Sequence, residues 1–283
     1  MKLLLTGGTG YLGGFLRADA QMHGDSVTLL GRTQPKGPEA WLPHDLSHPV
    51  PELPPADALI HAAFDHLPGR YRGGEGDDPD GFLHRNRDGS VALFDAARRA
   101  GISRIVFLSS RAVYGAYPPC TLLTEDLTPR PDTLYGQMKW QVEQALATEG
   151  GTSLRVTGVY GAAVPGGAQK WDSLFADFRA GRPIEARQAT EVHGADMARA
   201  VRLILHAPAD QVSGTVFNVS DILLDRRDLL ERYARHSGAT GALPAKATGP
   251  APNVMACSAL RSLGWSPGGT AALDAFLKTI PAG

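Results

Sequence analysis

The chain has 283 residues, with 28 Lys and Arg against 29 Asp and Glu, a formal net charge of −1. So even a balance leaves no electrostatic footprint for nucleic acid or an anionic membrane surface. Hydrophobic residues make up 43%, with 33 Gly and 21 Pro, and no apolar run nears the roughly 18 residues of a membrane span. Collagen-like, disordered and disulfide-scaffold readings are excluded on the same grounds.

Residues 2–6, KLLLT, form a short apolar run of the kind a buried parallel strand shows. MKLLL enters a glycine loop at once, without the longer apolar stretch and cleavage site of a signal peptide. The loop carries Gly7, Gly10 and Gly13, followed by a helical pattern through Phe15, Leu16 and Ala20 that ends near His23-Gly24. Residues 27–30 are a second apolar strand. Strand, glycine loop, helix and strand within about 30 residues is the context of a dinucleotide-binding turn. Gly7 permits the tight turn, Gly10 lets the backbone approach a pyrophosphate, and Gly13 lets helix and strand pack closely. The pyrophosphate is expected on the helix N-terminus, where free N–H groups and the dipole favour an anion.

The second strand ends Leu30-Gly31-Arg32-Thr33, with no acid at that point. An NAD site usually offers Asp or Glu there for the ribose 2′-OH, whereas an NADP site offers Arg. Arg32 could grip a 2′-phosphate through two parallel hydrogen bonds, so NADP(H) is favoured over NAD(H).

Residues 58–63, ALIHAA, read as a buried strand running into small residues that let a cofactor lie close. The segment 65–82, DHLPGRYRGGEGDDPDGF, reads as a long charged loop at the carboxyl ends of the strands. Its Arg70 and Arg72 either hold an anionic substrate group or belong to a solvated loop. Residues 86–100 have helical spacing through Val91, Leu93, Phe94 and Ala97 and stop at Gly101. RIVFLS at 104–109 is a further strand. Tyr135 opens a helix that continues through Val142, Glu143 and Leu146, and Tyr135 and Lys139 share one face at i, i+4. Residues 237–252 are a Pro/Gly-rich connector. Cys120 and Cys257 are far apart and match no metal spacing, so no metal site is expected and a reducing cytoplasm is the expected location.

With these pieces in order, the sequence resembles an extended short-chain dehydrogenase/reductase of the NAD-dependent epimerase/dehydratase kind. The matching segments are TGGTGYLG at 6–13, Asp45-Leu46, HAA at 61–63, Asn86-x-x-Gly89, SSRAVYG at 109–115, YGQMK at 135–139 and LRVTGVYG at 154–161. VHGADMARAV at 192–201, FNVSD at 217–221 and LRSLGWSP at 260–267 continue the match over nearly the whole chain.

The resemblance implies an α/β fold, a Rossmann-type doubly wound parallel sheet with a small C-terminal substrate lobe. Residues 1–161, completed by about 190–220, are expected to hold the dinucleotide, and 162–189 with 221–283 the substrate. It also implies hydride transfer between nicotinamide and a secondary alcohol or carbonyl, with Tyr135 as acid/base. Free tyrosine has a pKa near 10, so the Lys139 ammonium is expected to favour its phenolate. Lys139 would also hold the nicotinamide ribose. Ser110, four residues before Tyr114, would bond the reacting oxygen and hold it beside Tyr135, and Ser109 would line the cofactor. Tyr11, Leu12, Asp45, Leu46, Ala62, Ala63, Phe64, Asn86 and Val159 would line the cofactor, with Asn86 also readable as a helix cap. Arg111 and His193 are further substrate candidates, His193 lying in a helix-start motif that is partly structural.

Departures from the family pattern narrow these expectations. Ser110 is followed by Arg111-Ala112 where a dehydratase places an acid pair, which disfavours water elimination. Only about 30 residues precede VHGAD after LRVTGVYG, and Gly166-Gly167 with Arg187 make a compressed turn. That points away from a full nucleotide-sugar site and toward a smaller sugar, sugar acid or other carbonyl compound. The primary expectation is an NAD(P)-dependent oxidoreductase. The alternatives are a sugar or nucleotide-sugar epimerase with retained NAD, and a non-catalytic NADP(H)-binding sensor. A homodimer through helices like 87–100 and 135–148 fits the family habit.

Overall fold

The computed structural model describes residues 1–35, 37–67, 73–164 and 166–280. Strand β1 (Lys2–Thr6) leads through the glycine turn into α1 (Tyr11–Met22), followed by β2 (Ser26–Gly31), β3 (Ala40–Pro43) and β4 (Ala58–His61). Then come α2 (Pro79–Leu83), a π-helical turn (His84–Asp88), α3 (Gly89–Arg99), β5 (Arg104–Ser110), a 3-10 turn (Arg111–Tyr114), α4 (Leu134–Thr148) and β6 (Thr152–Val156). The second half adds β7 (Gly158–Tyr160), α5 (Asp172–Arg179), β8 (Gln188–His193), α6 (Gly194–His206), α7 (Ala209–Val212) and β9 (Val216–Val219). β10 (Ile222–Asp225), α8 (Arg226–Ser237), α9 (Ser258–Ser262) and α10 (Gly269–Leu277) complete it.

Seven strands form one sheet in the order β3-β2-β1-β4-β5-β6-β9, parallel at each junction. The order reverses beside β1, so the β1 and β4 ends open a crevice where open α/β sheets take ligands. Leu3, Leu5, Ile60 and Val106 pack on one face with Phe15 and Val201 of the flanking helices. Leu4, Leu59, Ile105 and Phe107 pack on the other with Phe94, Met138 and Val142. Burial on both faces is why these strands read as unbroken apolar runs rather than alternating ones.

The expected helix over 86–100 begins earlier than its periodicity suggests. Asp78 caps α2 by accepting the Gly81 N–H at 2.9 Å, with Pro79 in the first helical position. That end of the charged 65–82 segment is therefore helical. A π-helical turn then offsets α3 and buries Asn86.

A second sheet, β10-β8-β7, pairs β8 antiparallel with β10 and parallel with β7. Its own core holds Tyr160, Trp171, Phe175, Tyr233 and Phe276. The chain returns to the main core at Cys257, Leu260 and Trp265. No helix among the described residues is long and apolar enough to cross a membrane.

Candidate functional site

A cleft of about 300 Å³ opens at the carboxyl ends of the main sheet, a size typical of small-molecule sites. Gly7, Gly10, Tyr11, Leu12 and Gly13 form its floor, Arg32, Asp45 and Leu46 one end, Ala62, Ala63 and Phe64 a wall, and Ser109, Tyr135 and Lys139 the other end. The sequence-predicted cofactor residues, Asn86 and Val159 apart, thus share one cavity.

The floor is shaped by missing side chains. Gly7 adopts φ +68°, and a Cβ there would lie 2.7 Å from the Ala62 carbonyl carbon. A Cβ on Gly13 would overlap the Gly7 carbonyl and the Gly8 backbone. Gly10 caps α1 without a side-chain bond, so the first-turn N–H groups face the cleft, where a phosphate suits them.

Behind the wall runs a buried polar chain. Thr6 Oγ1 accepts the Ala62 and Ala63 N–H groups at 3.2 and 3.1 Å and lies 2.7 Å from His61 Nδ1. His61 Nε2 lies 2.8 Å from Ser90 Oγ, which donates to the Asn86 carbonyl. Burial and the Lys139 charge hold the His61 pKa well below the usual imidazole range. Since Thr6 already accepts twice, the neutral ring takes its hydroxyl proton at Nδ1 and donates from Nε2. Asn86, 2% exposed, is not on the cleft wall. Its amide bonds the backbone of Asp65 and the Phe82 carbonyl.

At the chemical end, Lys139 is 4% exposed and donates to the Leu108 carbonyl at 2.9 Å. Its Nζ lies 4.5 Å from the Phe107 ring centre and 5.9 Å from that of Tyr135. Burial lowers its pKa to about 7, against the upward pull of the Glu143 carboxylate. The Tyr135 ring packs 5.0 Å from that of Phe64. Ser110 ends β5 beside this group but outside the cavity wall, and its Oγ accepts the Ala112 N–H at 3.2 Å. The neighbouring Ser109 hydroxyl turns inward and donates to Glu143, which is paired with Arg155 at 2.8 Å.

Several expected residues sit elsewhere. Val159 is buried in the main core. His193 caps α6, its Nδ1 accepting the Ala195 N–H at 3.2 Å, and its ring packs among Phe15, Tyr160 and Phe276. It therefore serves the packing of the helix start rather than the cleft. Arg111 bonds the Asn253 carbonyl at 2.8 Å, tying down the C-terminal connector. Arg70 and Arg72 lie outside the described residues.

Arg32 lines the cleft as expected, and its Nη1 is paired with Asp65 Oδ1 at 2.9 Å. No acid directly follows β2 in sequence, yet Asp65, four residues beyond β4, reaches Arg32. Sequence reasoning missed this pairing, although β2 and β4 both flank β1 and their ends lie only two strand spacings, about 10 Å, apart.

His44 was also missed. It is 8% exposed, lines the cleft, and neither ring nitrogen has a hydrogen-bond partner among the described residues. Unpaired buried polar atoms facing a cavity are what a ligand with donors and acceptors would satisfy. Together with the glycine floor, they make the residues present a fit for a dinucleotide. Among the described residues no cluster of three His, Cys, Asp or Glu is arranged to hold a metal.

A smaller cavity of about 200 Å³ lies in the second lobe, lined by Lys170, Trp171, Arg187, Glu191 and Arg226 among others. Glu191 is paired with Lys170 at 2.5 Å. Burial, then the Arg187 charge, lowers the pKa of Arg226.

The UDP-glucose 4-epimerase of Corynebacterium glutamicum is 32% identical over 180 residues, 57% of this chain and 53% of that protein. The chain therefore spans about half the length of the curated relatives it matches. Among solved structures, MoeE5 in complex with UDP-glucuronic acid and NAD superposes with a TM-score of 0.78 at 23% identity, covering 99% of this chain and 97% of that one. The UDP-N-acetylglucosamine 4-epimerase of Methanobrevibacter ruminantium reaches 0.80 at 20% identity, covering 98% and 96%. At these identities the structures establish the fold. The sequence model of the NAD dependent epimerase/dehydratase family matches residues 3–220, and the chain belongs to that family.

Proposed function

We propose that the chain is an NAD(H)-dependent enzyme that oxidises and re-reduces a secondary alcohol carbon of a sugar, epimerising it with a retained dinucleotide. The observation that carries this reading is that Tyr135 and Lys139, one turn apart on α4, line the same cleft as the Gly7–Gly13 floor. When bound, the dinucleotide supplies the hydride acceptor and donor. Tyr135 takes the substrate hydroxyl proton on oxidation and returns it on reduction. Lys139 holds positive charge beside the Tyr135 ring, which favours the phenolate. Ser110 donates a hydrogen bond to the same substrate oxygen and keeps it within reach of Tyr135.

The second cavity supports a substrate larger than the smaller sugar expected from the compressed turn. Arg187 and Arg226 put two guanidiniums around it, a pair suited to the phosphates of a nucleoside diphosphate sugar. The names of the curated relatives favour the same class. A reductase exchanging NADP(H) is the second reading, favoured by Arg32 at the end of β2, and the Arg32–Asp65 pair weighs against it. A sensor without chemistry has no use for the Tyr135–Lys139 pair. Two free thiols, Cys120 exposed and Cys257 buried, suit a reducing cytoplasm, and a homodimer through α3 and α4 is the assembly to test.

Denaturing the purified protein and chromatographing the released nucleotides tests the cofactor. Bound NAD+ or NADH is expected, and conversion of UDP-hexoses should follow without added dinucleotide. A protein that neither carries nor binds any nicotinamide dinucleotide overturns the reading.

A further inference from the structure

Beside the cleft, four charged side chains form a chain of ion pairs. Arg32 Nη1 bonds Asp65 Oδ1 at 2.9 Å. Arg85 Nε bonds Asp65 Oδ2 at 2.7 Å, and Arg85 Nη1 bonds Asp78 Oδ2 at 3.0 Å. Two guanidiniums thus face two carboxylates, and the set is neutral. Asp65 is also fixed from behind. Its N–H donates to Asn86 Oδ1 at 2.7 Å, and its carbonyl accepts from Asn86 Nδ2 at 2.8 Å. Both Arg32 and Asp65 line the cleft.

We propose that Asp65 sets the dinucleotide preference of this cleft toward NAD(H), by holding the Arg32 guanidinium that a 2′-phosphate would need. The proposal rests on the reading of the cleft as a dinucleotide site. The residue following β2 is where such folds read the 2′ position. A 2′-phosphate must break the Arg32–Asp65 pair before the guanidinium can serve it. The arginine that suggested NADP(H) is therefore already paired. Asn86, away from the cleft wall, keeps Asp65 in place.

Removing the carboxylate charge should release Arg32 for a phosphate, while Arg85 keeps its bond to Asp78. Calorimetric titration of the cofactor-stripped protein with NAD+, NADP+ and adenosine 2′,5′-bisphosphate tests this. The wild-type protein should bind NAD+ at least ~10-fold more tightly than NADP+. Asp65→Asn should tighten NADP+ and the bisphosphate by about 10-fold while moving NAD+ by less than about 3-fold. Asp65→Ala serves the same purpose should the amide disturb folding. Adding Arg32→Ala to either should return NADP+ to its wild-type affinity. A merely structural role for Asp65 would weaken both dinucleotides together. Wild-type protein that prefers NADP+, or an unmoved ratio in the Asp65 variants, overturns the proposal alone. Wild-type protein that binds neither dinucleotide overturns the cleft reading and the proposal with it.

Discussion

Lys139 Nζ stands 5.9 Å from the centre of the Tyr135 ring, four residues away on the same helix, and donates its hydrogen bond to the Leu108 carbonyl. The lysine is thus anchored to β5 while its charge stays beside the phenol. If Tyr135 moves the substrate proton, Tyr135→Phe should cut turnover by roughly 10³-fold, the scale of a lost acid/base. The ring and its packing on Phe64 survive, so dinucleotide affinity should change by less than about 3-fold. Steady-state rates and calorimetry on the same preparation separate the two effects, and near-normal turnover would remove Tyr135 from the chemistry.

Burying Lys139 has a thermodynamic consequence. Its pKa in the folded cofactor-free chain is about 7, against about 10.4 unfolded. Between these values the unfolded state binds the extra proton, so this group's contribution to stability rises with pH. The deficit is fully present below pH 7 and vanishes above the ordinary lysine pKa. Lys139→Met should stabilise the cofactor-free protein by a few kcal/mol at pH 6, with the gain shrinking toward pH 10. Urea unfolding at both pH values reads it. A gain that is absent, or that grows with pH, would contradict the assignment.

Glu143 and Arg155 form a buried pair, 0% and 3% exposed at their side chains. Glu143→Gln leaves the Arg155 guanidinium buried without its counter-charge. Such a break should cost about 3–5 kcal/mol. The double variant Glu143→Gln with Arg155→Met should recover part of that loss, because no charge is then stranded. Chemical denaturation of the two variants measures the coupling.

Two glycines of the floor should respond differently. A Cβ on Gly10 meets only the Gly7 carbonyl, at 3.2 Å. Gly10→Ala should therefore fold with near-normal stability yet bind dinucleotide weakly, because the added methyl obstructs the approach to a pyrophosphate. Gly13→Ala overlaps the Gly7 carbonyl and should lower the melting temperature as well. Thermal melts with and without NAD+ distinguish the two.

The fold was largely legible because its strands are buried on both faces and its glycine turn has one geometric use. KLLLT and RIVFLS could be read as strands from composition alone, and Gly7 and Gly13 stand where only hydrogen fits. The 65–82 segment was harder, since its Pro79 start and Asp78 cap are helix signals embedded in loop-like charge. The site was legible where its residues follow one another, as Tyr135 and Lys139 do. It was illegible where strands bring distant residues together. Arg32 alone suggested a phosphate partner. Asp65 reaches it only because β2 and β4 flank β1, and His44 enters the cleft from the end of β3. His193 read as a substrate candidate in a partly structural helix-start motif, and its ring nitrogen caps α6 while the ring packs among Phe15, Tyr160 and Phe276.

The most direct test of the central claim is the fate of one hydrogen. UDP-glucose carrying deuterium at C4, incubated with the NAD-loaded protein, should yield UDP-galactose that keeps its deuterium, because the same hydride leaves and returns. Nuclear magnetic resonance of the product reads it. A product with deuterium exchanged for solvent hydrogen, or no epimer at all, would contradict hydride transfer at this site.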